Sequence, residues 1–413
     1  MLARWLGLLA LAAIMLGVVG CGGVAVSDVA EATGGQLTIY SSEPLQGPSS
    51  GMAQQIVGGE ELALSDAHAR AGPFKIGYVS LDDASPKSDE WNPGITATNA
   101  KTAAQDTSTI AYLGDFDSAA TAISLPLINA AGILQVSPAS PYVGLTSSLD
   151  AGQDEPERFY PSARRTFVRL APGDIGQAQA QVKLLESLGV HRLYVLDDQD
   201  PFEVPLADIV ATYAEQAGIT VIAHDSLSTE TGAVFTGEVK KIAASNAQAV
   251  FLAGAEGGGT AELWQELYRA SPDLLLLGSS SMAGEAFTSR IGAAAANTYL
   301  TTPVLAPRLY PPPAQRVLSD YRRTFGVEGT PYVLYGYEAM TLVLDAIRDS
   351  GARGNDRQTV IERVFATRNR NSVIGRYSVE ASGETTMSSY GVDRVSEGRP
   401  VFYRALHILP AQP

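Results

Sequence analysis

The chain has 413 residues, 45% of them hydrophobic, one cysteine and a formal net charge of −15. So acidic a body excludes nucleic acid or an anionic membrane face as its electrostatic partner, and it keeps an exported protein soluble. A single cysteine excludes a disulfide framework or a thiolate metal cluster, so stability has to come from burial.

That cysteine, Cys21, closes an apolar run over 6–19 that follows a lone basic residue, Arg4. The run is too short to span a bilayer comfortably and reads as a cleaved export signal over 1–20. Val18, Val19 and Gly20 before Cys21 resemble a bacterial lipobox, whose thiol is acylated and becomes the first residue of the mature protein. The alternative is a stray cysteine in an ordinary signal peptide. On the lipobox reading the protein is exported, lipid-anchored to the cell membrane, and faces the periplasm or the exterior. Residues 21–36 are small, polar and acidic, with Gly22, Gly23, Gly34 and Gly35, and read as a flexible linker.

About 375 residues remain, more than one compact core usually organises, so two lobes are expected. β-branched runs at 37–40, 74–81, 110–113 and 133–136 alternate with helical patterns at 52–69, 96–105 and 119–130. That alternation predicts a parallel sheet with crossover helices. The polar stretch 149–165 reads as a surface connector. The pattern then restarts, with Asp174 as N-cap of a helix over 177–188 and Gly189 as its terminator. Strands at 192–196, 220–223, 249–252 and 274–277 follow, between helices at 206–216, 236–244 and 261–269. Two such runs predict an α/β protein with two doubly wound sheets. After a segment at 297–304 and a Pro-rich loop at 307–313, helices at 314–325, 333–350 and 358–367 carry apolar faces that need a sheet to cover. Segments around 372–379 and 401–408 look antiparallel.

Five motifs recur in a specific order. They are Pro44 to Pro48 after the first strand, Asp82-Asp83-Ala84 after the second, and Gly114-Asp115-Phe116-Asp117-Ser118-Ala119-Ala120-Thr121 after the third. Ala131-Gly132 leading to Ser137-Pro138-Ala139, and Tyr335-Gly336-Tyr337-Glu338-Ala339 in a late helix, complete the set. Together, over nearly the whole chain after Leu37, they resemble the type I periplasmic binding proteins of branched-chain amino acid ABC transporters, the leucine/isoleucine/valine-binding group. The resemblance implies two Rossmann-like lobes, 37–168 with 302–372 and 169–301 with 373–413. Three hinge strands near 166–170, 299–303 and 372–375 would join them, and ligand would close the cleft between.

Physical reasoning points to the same cleft. Ser118 falls between a strand end and a helix start, beside Ala119, where free N–H groups and the helix dipole favour an anionic group and a hydroxyl can bond a carboxylate. The alternative is that Ser118 caps its own helix. Ala139 and Ser140 follow a strand at the carboxyl edge, where open α/β sheets bind ligands. From the second lobe the resemblance adds Phe202, Ala255 and Ser280. It also marks departures: amino-acid-binding members hold the ligand ammonium with a threonine and an acidic residue where this chain has Pro141 and Ser280. Proline offers neither hydroxyl nor N–H, and serine no charge. Tyr142, Glu256, Asp198 and Asp200 lie nearby as substitutes, or are simply solvated. Trp91 either lines the cleft mouth or pins a loop.

No active site assembles. His68, His191, His224 and His407 are scattered without metal-ligand spacing, and Gly257-Gly258-Gly259-Thr260 lacks the lysine of a P-loop and reads as a turn. No cofactor, metal or catalytic residue is expected. The expected function is a non-enzymatic receptor that captures a small amino acid or a carboxylate or amide ligand and presents it to an ABC permease. The alternative is a bilobed sensor domain signalling to a partner protein.

Overall fold

The structure, a computed structural model, describes residues 31–85, 91–255 and 257–409. The export signal, Cys21 and the linker up to residue 30 lie outside these residues, as does Glu256. The end of the linker is not a free leash. Glu31 bridges Asp356, the Ala32 amide donates to Asn355 O at 2.7 Å, and Ala32 is buried.

The first sheet is built from β1 (Leu37–Glu43), β2 (Arg70–Ala71), β3 (Phe74–Asp82), β4 (Thr109–Gly114), β5 (Leu134–Ser137) and β6 (Phe167–Arg169), in the order β2-β3-β1-β4-β5-β6. All pairings are parallel except the short β2–β3 edge. β1 and β4 are buried along their whole length, as strands covered on both faces must be. Helices α1 (Ser50–Asp66), α2 (Pro93–Gln105) and α3 (Ser118–Ala130) make the crossovers.

The second sheet repeats the plan. After α4 (Asp174–Ser187) come β7 (Arg192–Asp197), α5 (Val204–Gln216), β8 (Thr220–Ser226), α6 (Thr236–Ala244) and β9 (Ala249–Ala253). Then follow α7 (Thr260–Ala270), β10 (Leu275–Gly278), the single turn α8 (Glu285–Thr288) and β11 (Thr298–Thr302). The chain then returns to the first lobe as α9 (Pro312–Phe325), α10 (Tyr332–Asp349) and α11 (Arg357–Phe365). Val333, Leu334, Val343 and Ile347 of α10 are fully buried in the first core, each worth roughly 1.5–3 kcal/mol of removal from water. Gly336 is there because α1 and α10 nearly touch: a Cβ on it would lie 2.0 Å from Ile56 O, and one on Gly59 2.1 Å from Val333 O.

A hairpin, β12 (Arg370–Ser372) with β13 (Gly375–Tyr377), precedes β14 (Ser389–Ser396) and β15 (Arg399–His407). The last two add antiparallel to β11, giving the order β15-β14-β11-β10-β9-β7-β8. The chain thus passes between the sheets after β6, after β11 and ahead of β14. The first two passages fall near the anticipated hinges. The third lies further on, because Val373, Ile374, Tyr377, Val379 and Met387 pack in the first core, although 373–413 was assigned to the second lobe.

The stretch 149–165 is largely exposed, as a surface connector is, and also braces the lobes. Glu155, Phe159 and Tyr160 are buried, and both rings join one cluster with Leu125 of α3 and the α4 and α5 residues of the second lobe. The buried Glu155 accepts from Tyr142 Oη and pairs with Arg158, both at 2.5 Å.

Candidate ligand-binding cleft

The carboxyl ends of the two sheets face one another across a cleft of about 450 Å³. On the first-lobe side it is lined by Pro44 after β1, Phe116 to Ala119 after β4, and Ala139 and Pro141 after β5. On the second-lobe side come Asp200, Phe202 and Glu203 after β7, Ala255 and Gly257 after β9, and Ser280 and Ser281 after β10. Asp174 and Gln177 at the start of α4 also face it, with Tyr332 at the start of α10.

Of the eight anticipated ligand residues, Ser118, Ala119, Ala139, Phe202, Ala255 and Ser280 line this cleft. Ser118 does not cap its own helix. Asp117 holds the N-cap position of α3, without a side-chain cap bond, and the Ser118 hydroxyl instead accepts from the Tyr142 amide at 3.1 Å. That bond leaves its proton free to donate, next to the unsatisfied first-turn N–H groups of α3.

Ser140 and Tyr142 are not on the walls. Ser140 is fully buried, and its carbonyl accepts from Arg169 Nη1 at 2.8 Å. Tyr142 is buried behind the lining, its ring edge-on to Phe202 at 5.0 Å. Both belong to a clasp around Arg169, whose guanidinium also binds Tyr142 O at 2.9 Å, Thr146 Oγ1 at 3.0 Å and the Glu384 carboxylate. Arg169 of β6 holds both carbonyls on the side away from the lining, while Ala139 and Pro141 between and beside them line the cleft. Trp91 does both things considered for it. Its backbone bridges Ala84, and the residue lines the cleft.

Asp174, Gln177, Glu203 and Tyr332 were not anticipated. Asp174 stands inside α4 rather than at its cap, with its Oδ2 accepting from Val143 N at 3.0 Å. Burial, partly offset by Arg169, pushes its carboxyl up to about 7. Gln177, one turn along, takes the Ser280 amide (3.1 Å) and Tyr390 Oη (2.8 Å) on its side-chain oxygen. Glu203 accepts from Ser281 Oγ at 2.5 Å, and burial holds its carboxyl well above the ordinary range.

Beneath the first-lobe wall the ends of β1, β3 and β4 carry Glu43, Asp83 and Asp115, all fully buried. Asp115 is bonded by Tyr112 Oη at 2.9 Å and by the Ser124 hydroxyl. Both carboxylate oxygens of Glu43 and of Asp83 lack a partner. Burial first, then mutual repulsion, drives Glu43 well above the ordinary range and Asp83 to about 9; burial alone lifts Asp115 to about 7 against its hydrogen bonds. Gly114, at φ +114°, lets β4 end against this group: a Cβ there would lie 2.5 Å from Ser42 O. Among the described residues no group of three or more His, Cys, Asp or Glu is arranged to hold a metal ion, and no helix is long and apolar enough to cross a membrane.

A family profile described as "Periplasmic binding protein" matches residues 37–399. The chain belongs to that family, and its two-lobed fold is the type I arrangement. A leucine-binding protein LivK from Thermotoga maritima is similar in structure at a TM-score of 0.74, with 20% identity over 90% of this chain and 99% of the other. An ABC transporter substrate-binding protein from Desulfitobacterium hafniense in complex with Leu reaches 0.72, at 18% identity over 89% and 100%. A solute-binding protein from R. palustris in complex with benzoate also reaches 0.72, at 14% identity over 92% and 98%. No curated protein matches significantly.

Proposed function

We propose that this protein is the extracytoplasmic solute-binding component of an ABC transporter of the branched-chain amino acid type. It captures a small amino acid, or a related carboxylate or amide, in the interlobe cleft and hands it unchanged to a membrane permease. The observation that carries this reading is the convergence of both sheets' carboxyl ends on one cleft, with Ser118 and the α3 N-terminus in its wall. Similar folds solved with leucine and with benzoate support it. Closure is a hinge motion at the passages between the sheets, and ligand shifts the equilibrium by binding the closed form better. Cys21 supplies the lipid anchor that keeps the receptor beside its permease.

Thermal unfolding of the purified protein against a panel of amino acids and small carboxylates tests the reading. A ligand at about one hundred times its Kd adds about 2.7 kcal/mol, and Ser118→Ala weakens that ligand. A panel without a stabilising member counts against solute capture; an undiminished affinity in Ser118→Ala removes that hydroxyl from the site.

A further inference from the structure

The second-lobe wall of the cleft is built around buried acceptors that have no donor in the protein. Asp174 is buried, lines the cleft and spends Oδ2 on the Val143 amide, the one hydrogen bond its carboxyl makes among the described residues. Across from it, Glu203 uses Oε1 on Ser281, and its Oε2 is enclosed without a partner. The two carboxyls sense each other, and Asp198 and Asp200 on the Glu203 loop add to the same negative field. Behind Asp174 stand Arg169 and Glu384, already clasped to one another. Among the described residues, the charged residues lining the cleft are Asp117, Asp174, Asp200 and Glu203 against Arg290, and Arg290 pairs with Glu262 at 2.7 Å.

We propose that Asp174 and Glu203 form a subsite for an organic cation, so that the protein selects a solute carrying a protonated amine, and best one of net positive charge such as a basic amino acid or a diamine. This deepens the solute-capture reading and rests on it. The Asp174 and Glu203 carboxyls supply the acceptors for the ammonium, replacing the mount that Pro141 and Ser280 cannot provide. Gln177, one helical turn from Asp174, also lines the cleft, its oxygen already taken by Ser280 and Tyr390. Phe116, Phe202, Trp91 and Tyr332 supply the aromatic lining that favours a cation over an anion.

The unliganded wall avoids two buried negative charges by keeping protons on them, since burial raises both groups. A bound ammonium reverses the balance. The carboxyl releases its proton to solvent, the carboxylate pairs with the cation, and affinity rises with pH.

Calorimetric titration with lysine, putrescine, leucine and benzoate, in two buffers of different ionisation enthalpy, tests the assignment. Lysine or putrescine should bind at least about tenfold more tightly than leucine or benzoate, with proton release. Glu203→Gln mimics the protonated side chain and so preserves the fold; it should weaken the cation at least about tenfold and reduce the proton release. Asp174→Asn should act in the same direction. Tight binding of leucine or benzoate, unchanged in Glu203→Gln, would overturn the cation subsite and leave solute capture standing. If none of the four probes binds, the cation subsite falls, while solute capture stands or falls with the wider panel.

Discussion

Two regions of this molecule bury carboxylates, and they do so in opposite ways. At the strand ends of the first lobe, Glu43 and Asp83 have no counter-ion and no hydrogen-bond donor among the described residues, so they remain buried by keeping their protons. At the passage between the lobes, Glu384 is held by Arg169, which in turn bonds the carbonyls of Ser140 and Tyr142. A proton can leave with a change of pH, whereas an arginine is always charged and fixes geometry as well as charge. The first arrangement makes stability depend on pH, and the second makes the crossing rigid.

The strongest way to break the contrast is at the clasp. Arg169→Met leaves Glu384 inside without its partner and should cost about 3–5 kcal/mol in denaturant unfolding. Arg169→Met with Glu384→Leu should recover much of that loss; if the double variant is as unstable as the single one, the carbonyl bonds rather than the ion pair hold the crossing.

Next comes the pH response of the first lobe. Glu43, Asp83, Asp115 and Glu60 all have folded-state values above their unfolded ones, with Glu60 lifted to about 8 by burial against its bond from Tyr78. Their stabilising contribution is therefore complete below about pH 4 and is lost as pH rises through 7 to 9. Thermal midpoints should fall over pH 6 to 9. Glu43→Gln, permanently neutral, should flatten that slope and raise stability at pH 8 by about 1 kcal/mol or more. A slope unchanged in Glu43→Gln would mean that water or a bound cation already compensates the group.

The smallest effect is expected at Ser118. Its one protein bond, from the Tyr142 amide, is of ordinary strength, so Ser118→Ala should alter stability by about 1 kcal/mol or less while weakening ligand capture. A large loss of stability instead would make Ser118 part of the brace that joins the lobes.

Much of the architecture was legible because it is periodic. Helix α6 begins and ends at the anticipated residues, 236 and 244, and the two βα runs became two sheets. β14 escaped notice, since Gly391, Asp393 and Arg394 interrupt any apolar alternation and its place is fixed by pairing to β11 and β15. The segment 149–165 is polar and largely exposed, and its bracing role rests on Glu155, Phe159 and Tyr160, whose burial depends on partners distant in sequence. In the cleft, Ser118 stands at a strand-to-helix junction and Ala139 at a strand's carboxyl edge, signals written in local sequence, and both line the walls. Asp174, Gln177 and Glu203 were not anticipated, because an acid in a loop or first turn looks the same whether it faces water or a cavity. The i, i+3 spacing of Asp174 and Gln177 was the one readable clue.

The docking of residues 31–33 against 107 and 355–356 has a mechanical consequence. These contacts precede β4, at the amino ends of the first sheet, whereas the cleft opens at the carboxyl ends. Any pull transmitted from upstream of residue 31 enters the first lobe on its far side and never loads the jaws.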